Sequence, residues 1–400
     1  MLKIKEVSKL LPKKKYLYEI DFMRMLIMFG VLSVHTTSIF TSQLKDWTTE
    51  FLALSAIHSS MHVTRMAFMF ITGLVLFITY HHREFHVFSF LKKRLFLIAI
   101  PYLVWNVVYI LFESTYEIDL HGSFMGFLKI LLLSLIHGDQ FYIYYLLITF
   151  QFYLVFPMLL FALRKYEKWH LQIFIWSFLF QLLLMSFYKF AIPHLDQSNW
   201  PYLLTNYGVF FVTYQCWFVT GGIVACHYDM ICKFIEKHYR LIGAILFLGI
   251  ICMWGHYYLD RAILHESDHK AQSVHQPVFL PYSLFVIAVM LYLGRKWAER
   301  RTRRNWQGFS RFVGIASSTS FGMYLVQPFP IYIVNQYIPR IANVHWLFYL
   351  SIPIAILFVY VSSMILSYCI GKIPYISYCV GQRTKKKPNT TRAISSLSQR

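Results

Sequence analysis

Charge is scarce in this chain. Of its 400 residues only 14% are Asp, Glu, Lys or Arg, with 18 acidic residues against 38 basic ones. Soluble domains carry roughly 25% charged and 45–50% apolar residues, whereas here 57% are hydrophobic and 19% aromatic. So few polar side chains cannot cover a water-exposed surface, which excludes an ordinary soluble globule. A formal charge of +20 with a pI near 9.6 raises nucleic-acid binding. In an apolar chain of mean hydropathy +0.49, the same excess marks cytoplasmic loops. The charge is read as topology, and nucleic acid is not an expected partner.

Cysteine is also sparse. Cys216, Cys226, Cys232, Cys252, Cys369 and Cys379 form no C-x-x-C pair and sit mostly in or beside apolar runs, so they read as buried small hydrophobes, not a disulfide or zinc framework. No small-residue cleavage site follows Val34, although Lys3, Lys5, Lys9, Lys13, Lys14 and Lys15 precede the first apolar run. Residues 1–20 are therefore expected to be a retained basic tail. No internal repeat stands out, which weakens an inverted-repeat transporter. The G-x-S-x-G elbow, the phosphate-binding Walker loop and the dinucleotide G-x-G-x-x-G are all missing.

Long apolar runs are what the sequence does have. A helix needs about 20 mostly apolar residues to cross about 30 Å of hydrocarbon, and such runs fall near 21–41, 61–80, 93–112, 141–163, 169–190, 203–226, 240–259, 279–296, 313–337 and 345–370. The run 124–136 is too short to cross untilted. Leaving it uncrossed puts Arg164, Lys165 and Lys168, then Lys233, Lys237 and Arg240, then Arg295 to Arg311, and finally Lys385 to Lys387 on one side with the N-terminal lysines. The acidic turn Glu113 to Asp119 then falls on the other side. The expected fold is an all-α polytopic membrane helical bundle of about ten transmembrane helices with both termini cytoplasmic. Residues 21–380 form its membrane domain, 381–400 a basic disordered tail, and 124–136 a re-entrant or interfacial helix.

An ionisable side chain inside a span is costly and marks a functional candidate. The first span holds Arg24 near its inner end and His35 eleven residues on; about 1100° of turn puts both on one face, about 16 Å apart. Asp21 lies one turn behind Arg24. A guanidinium at the inner mouth and an imidazole deeper in suit an anionic donor entering from the cytoplasm. A snorkelling arginine with a hydrogen-bonded core histidine is the plain alternative.

These residues resemble the membrane acyltransferase 3 family, whose members acylate cell-surface glycans. Ile20-Asp21 with Arg24 and His35 looks like its opening signature, and Arg65 before Phe68-Met69-Phe70-Ile71-Thr72-Gly73 resembles its second span, with Thr in place of Ser. Lys93-Arg94 leading to Ile100-Pro101-Tyr102 is similar to its third span. Gln140-Phe141-Tyr142 up to Pro157 resembles its aromatic segment without the Trp. Ser320-Phe321-Gly322-Met323-Tyr324-Leu325 with Pro328 resembles its late element, where Gln327 replaces the usual His and cannot take a proton near neutral pH. The resemblance runs over about 18 to 380 and looks nearest to the acyltransferases of intercellular-adhesin and exopolysaccharide operons of Gram-positive bacteria.

The resemblance implies an integral membrane O-acyltransferase moving an acetyl or succinyl group from acyl-CoA to a hydroxyl of a cell-envelope or exported polysaccharide. His35 is the expected general base or transient acyl relay. Arg24 is expected to bind donor phosphate or steady the thioester oxyanion. Asp21, Arg65, Arg94, Ser320, Tyr324 and Gln327 are expected in substrate binding. Acyl-CoA, the polysaccharide and membrane lipid are the expected partners, with a glycan synthase complex as a further candidate; no cofactor or metal is expected. A glycan exporter without chemistry of its own is the alternative, and a passive scaffold a third; neither needs a buried proton acceptor at His35. His265-Glu266-Ser267-Asp268-His269 fits H-E-x-x-H, which binds zinc only on a helix; in a His-rich polar loop it reads as a chance match. The run Lys296 to Arg311 reads as a topology determinant on anionic lipid, with donor-phosphate binding as the alternative.

Overall fold

The computed structural model describes residues 16–115 and 124–382, so most of both basic tails and the acidic turn after Thr115 lie outside the described residues. All regular structure among the described residues is helical. Counting helices of ten residues or more, the order is α1 (Tyr18–Thr41), α2 (Thr49–Met61), α3 (Thr64–Tyr80), α4 (Val87–Glu113), α5 (Phe124–His137), α6 (Tyr144–Lys165) and α7 (His170–Ser186). There follow α8 (Gln215–Cys226), α9 (Tyr228–Lys237), α10 (Tyr239–Ala262), α11 (Phe279–Arg300), α12 (Gln307–Val326), α13 (Pro328–Ile341) and α14 (His345–Lys372).

Eight helical segments are long and apolar enough to cross a bilayer, with α2 and α3 forming one of them, and nine if the pair α8–α9, bent by 99°, counts as a span. The protein is therefore a multi-pass membrane bundle. The expected span 313–337 is not continuous. Helix α12 ends at Val326, and Pro328 opens α13 at its first position, where a residue without N–H leaves no bond unmade. The expected span 203–226 also differs: residues 207–214 form 3-10 turns and the regular helix starts only at Gln215. Helix α5, at 14 residues, is a short apolar helix apart from the spans.

The bundle has a centre and a rim. In the most apolar stretches of α1 and of α2–α3, 61% of residues are buried, against 17% in those of α7 and α10, so the last two face lipid with side chains such as Trp176, Leu183, Phe247 and Ile251. Two of the cysteines share this rim: Cys252 and Cys369 are exposed, and only Cys216 and Cys232 are fully buried. The expectation of buried cysteines thus holds for part of the set, because apolar surroundings in sequence here mean lipid as often as protein.

Helices α3 and α8 approach through glycine. A Cβ at Gly73 would sit 2.2 Å from the Phe218 carbonyl oxygen, and one at Gly221 the same distance from that of Phe70. In lipid, where side-chain burial between helices gains little from the hydrophobic effect, such backbone proximity supplies the packing energy. The far end of α3 is held by Arg164 of α6, whose Nε donates to the His81 carbonyl at 2.7 Å while its guanidinium also reaches the carbonyls of Tyr80 and Arg83. These are carbonyls a helix C-terminus otherwise leaves unmet.

Candidate active site

A cavity of about 730 Å³ opens between α1, α3, α4, α6 and α12. Seven of the eight expected site residues line it: Asp21, Arg24 and His35 on α1, Arg65 on α3, Arg94 on α4, and Ser320 and Tyr324 on α12. Gln327 does not. It is fully buried at the α12–α13 break, where its Nε2 donates to the Tyr324 carbonyl at 2.9 Å and its Oε1 has no partner.

Among the described residues neither Arg24, Arg65 nor Arg94 forms an ion pair. Arg65 lies over the Tyr144 ring at 5.3 Å, with Tyr214 and Tyr324 also beside it. Arg94 lies 5.9 Å from the Tyr80 ring and 5.8 Å from that of Tyr153, and its buried Nε has no hydrogen-bond partner. The nearest carboxylate to Arg24 in sequence, Asp21, is occupied by the hydroxyls of Ser317 at 2.8 Å and Tyr16 at 3.1 Å. Tyrosine faces attract a cation without neutralising it. Charges partly withdrawn from water without a counter-ion are expensive, and these three arginines line one cavity.

His35 lines the same cavity. Its ring stacks on Tyr142, centroids 3.5 Å apart and planes 25° apart, and Arg65 and His58 are ionisable neighbours. Phe141, just before Tyr142, has φ 44°, a left-handed conformation that a bulky residue adopts only under constraint. The Tyr324 hydroxyl donates to the Tyr142 carbonyl. Tyr324 thus holds the backbone of the residue whose ring flanks His35. Ser320 turns its hydroxyl back to the Ser317 carbonyl at 2.8 Å.

Tyr142, Tyr144 and His62 line the cavity without having been singled out from the sequence as site residues. His62 keeps a buried, unpartnered Nδ1 and packs its ring 4.6 Å from that of His58, whose Nδ1 is 2.7 Å from the Thr37 hydroxyl. A signal for His62 was present: His58, His62 and Arg65 fall at i, i+4 and i+7, the spacing of one helical face, although the helix breaks between Met61 and Thr64. The stack of Tyr142 on His35 has no such signal, because it depends on the backbone of Phe141.

None of the remaining polar motifs lines the cavity. His265 has φ 51° and the next helical turn begins only at Asp268, so the H-E-x-x-H residues are not on one helix face; among the described residues no group of three His, Cys, Asp or Glu is arranged to hold a metal. Lys189, on a π-turn after α7, donates to Asp260 at 2.6 Å and to Gln276 Oε1 at 2.6 Å, a buried clamp of that turn onto α10. In the basic run, Arg295 pairs with Glu236 at 2.9 Å and Lys296 with Glu299 at 3.1 Å.

A family model described as an acyltransferase domain matches residues 17–372. No curated protein and no solved structure matches the chain.

Proposed function

The chain belongs to the acyltransferase 3 family and is a multi-pass membrane acyltransferase, and from that premise we propose that it moves an acetyl or succinyl group from acyl-CoA to a hydroxyl of a cell-envelope or exported polysaccharide. One observation carries the donor: three arginines without carboxylate partners line a single cavity with an imidazole. Arg24 and Arg94 hold the donor's phosphates, and His35 accepts the proton of the attacking hydroxyl. Arg24 and His35 are eleven residues apart on one helix, about 16 Å, too far for Arg24 to touch the carbonyl that reacts beside His35. Arg65, the charged neighbour of His35, takes the oxyanion role.

The hydroxyl oxygen bonds to the thioester carbon as its proton passes to His35; the C–S bond then breaks, and the proton leaves with the thiol. Tyr142 holds the His35 ring through the step, and Tyr324 holds Tyr142. The glycan acceptor and the likeness to exopolysaccharide-operon enzymes rest on the sequence resemblance. Positive loops on one side favour donor entry from the cytoplasm. The family's group-transfer chemistry argues against a bare glycan conduit.

The test is made in cells. His35→Ala should leave protein level and surface polymer unchanged while the polymer loses its O-acyl groups. Full O-acylation in a well-expressed His35→Ala strain would remove His35 from the mechanism; loss of surface polymer with O-acylation intact would favour the conduit.

A further inference from the structure

Helix α2 ends at Met61 and α3 begins at Thr64, inside one apolar span. Irregular backbone at membrane depth is tolerated only where it is buried in protein or lines a cavity, and His62, in the break, lines the cavity next to Thr64 and Arg65. His62 is only 9% exposed, and its Nδ1 has no hydrogen-bond partner. A buried ring nitrogen left unmet is costly, and in a folded chain it calls for an explanation. The neighbouring His58 differs, because its Nδ1 lies 2.7 Å from the Thr37 hydroxyl, which is also 2.8 Å from the Ser33 carbonyl. With the one hydroxyl proton of Thr37 donated to Ser33, its oxygen receives the His58 N–H. The ionisable neighbours of His62 are His58, Arg65 and His35, all of them bases, so a cationic partner is disfavoured. A hydroxyl both donates and accepts, and it therefore meets Nδ1 in either tautomer. His62 also lies at the right end of the cavity for a second substrate. Arg24 and His35 are about 16 Å apart along α1, so a donor held by its phosphates at Arg24 reaches His35 with its acyl end, beside His62.

We infer that His62 binds the acceptor: while one hydroxyl attacks beside His35, a neighbouring hydroxyl of the same sugar ring hydrogen-bonds to His62 Nδ1. The inference rests on the reading of the chain as an O-acyltransferase acting on a glycan. Two imidazoles, one on α1 and one in the α2–α3 break, then recognise a pair of hydroxyls, and the pair fixes which of them stands at His35. Orientation of this kind sets the reacting atom as well as the affinity. A site that hydrogen-bonds a substrate hydroxyl rejects an analogue lacking it, because the buried polar group is then left unpaired. The proton of the attacking hydroxyl still passes to His35, and His62 gains and loses none.

The test uses the purified full chain in lipid discs, with acyl-labelled acetyl-CoA or succinyl-CoA as donor. The acceptor is the producing cells' own polysaccharide, stripped of its esters by alkali. His62→Leu and His62→Phe remove the ring nitrogens with side chains of different shape, so that a packing failure in one leaves the other. Each should raise the KM for the polymer about tenfold, the scale of one buried hydrogen bond, with equilibrium affinity for CoA little changed. The ester should also spread from one ring position to its neighbours, read by NMR of the product. His62→Gln keeps a donor and an acceptor and should recover most of the polymer KM. An unchanged polymer KM and ester position in both the Leu and the Phe variants overturns the role of His62 and leaves the acyltransfer reading standing. Losses of polymer KM and CoA affinity of equal size overturn it as well, since a histidine that only holds the fold together would give them. No transfer of label to the polymer by wild type overturns the acyltransfer reading and the role of His62 with it.

Discussion

Arg24 and Arg65 carry the same charge and line one cavity, but only Arg65 neighbours His35, so their losses should differ in kind. Arg24→Ala should weaken acyl-CoA binding by about tenfold or more, and Arg24→Lys by less, because lysine keeps the charge but loses the bidentate fork. Arg65→Ala should instead lower kcat by about 10²- to 10³-fold, the usual loss for an oxyanion donor, with donor affinity little changed. Equilibrium binding beside steady-state kinetics separates the two. His275, in the loop before α11, gives a pH prediction. Burial first, and then the Arg65 guanidinium, push its imidazole down to about 3. It stays neutral in the folded chain but protonates below about 6.5 when unfolded, so its contribution is present above that pH and is lost as pH falls toward 3. Between pH 6.5 and 5 the loss is about 2 kcal/mol, and thermal unfolding of His275→Gln should fall less on acidification than that of wild type. At this scale the sequence was informative wherever cost was visible. Arg24 and His35 stood out as ionisable groups inside a span, and both line the cavity. Tyr142 did not, since one aromatic among 29 tyrosines carries no mark of the strained residue that aims it.

Helices α3 and α8 cross closely, and α3 carries Arg65. Because the groups facing Gly73 and Gly221 are backbone carbonyls, neither can yield as a side chain would. Gly221→Ala or Gly73→Ala should cost about 1–3 kcal/mol, the range for overpacking, and should lower the folded fraction in size-exclusion of the detergent-solubilised protein; Gly243→Ala, whose added Cβ meets nothing within 4 Å, is the matched control. Apolar length located the helices well and their breaks poorly. The interruption at Gln327 and the turn at His227 between α8 and α9 do not change average hydropathy. They arise from a proline at a helix start and from packing of α9 on α11, where Glu236 meets Arg295. The tightness of the glycine crossing was equally hidden, because it needs both partners in place.

The whole molecule is a bundle whose buried centre, α1 with α2–α3, holds Arg24 and Arg65 while the rim meets lipid. Its sidedness is a separate claim from its fold. In a chain stripped of its own cysteines, an impermeant thiol reagent applied to intact cells should label Lys270→Cys and not Thr302→Cys; the reverse pattern would invert the proposed orientation. The central proposal for the molecule is the transfer of acyl groups from a CoA thioester to a glycan hydroxyl beside His35. Its most direct test is the transfer of label from acyl-labelled acetyl-CoA or succinyl-CoA into alkali-labile esters of the polysaccharide in membranes containing the protein. Wild-type membranes should incorporate label from one of the two donors, and membranes with equal amounts of His35→Ala protein should incorporate almost none. Equal incorporation by the two membranes would contradict the account.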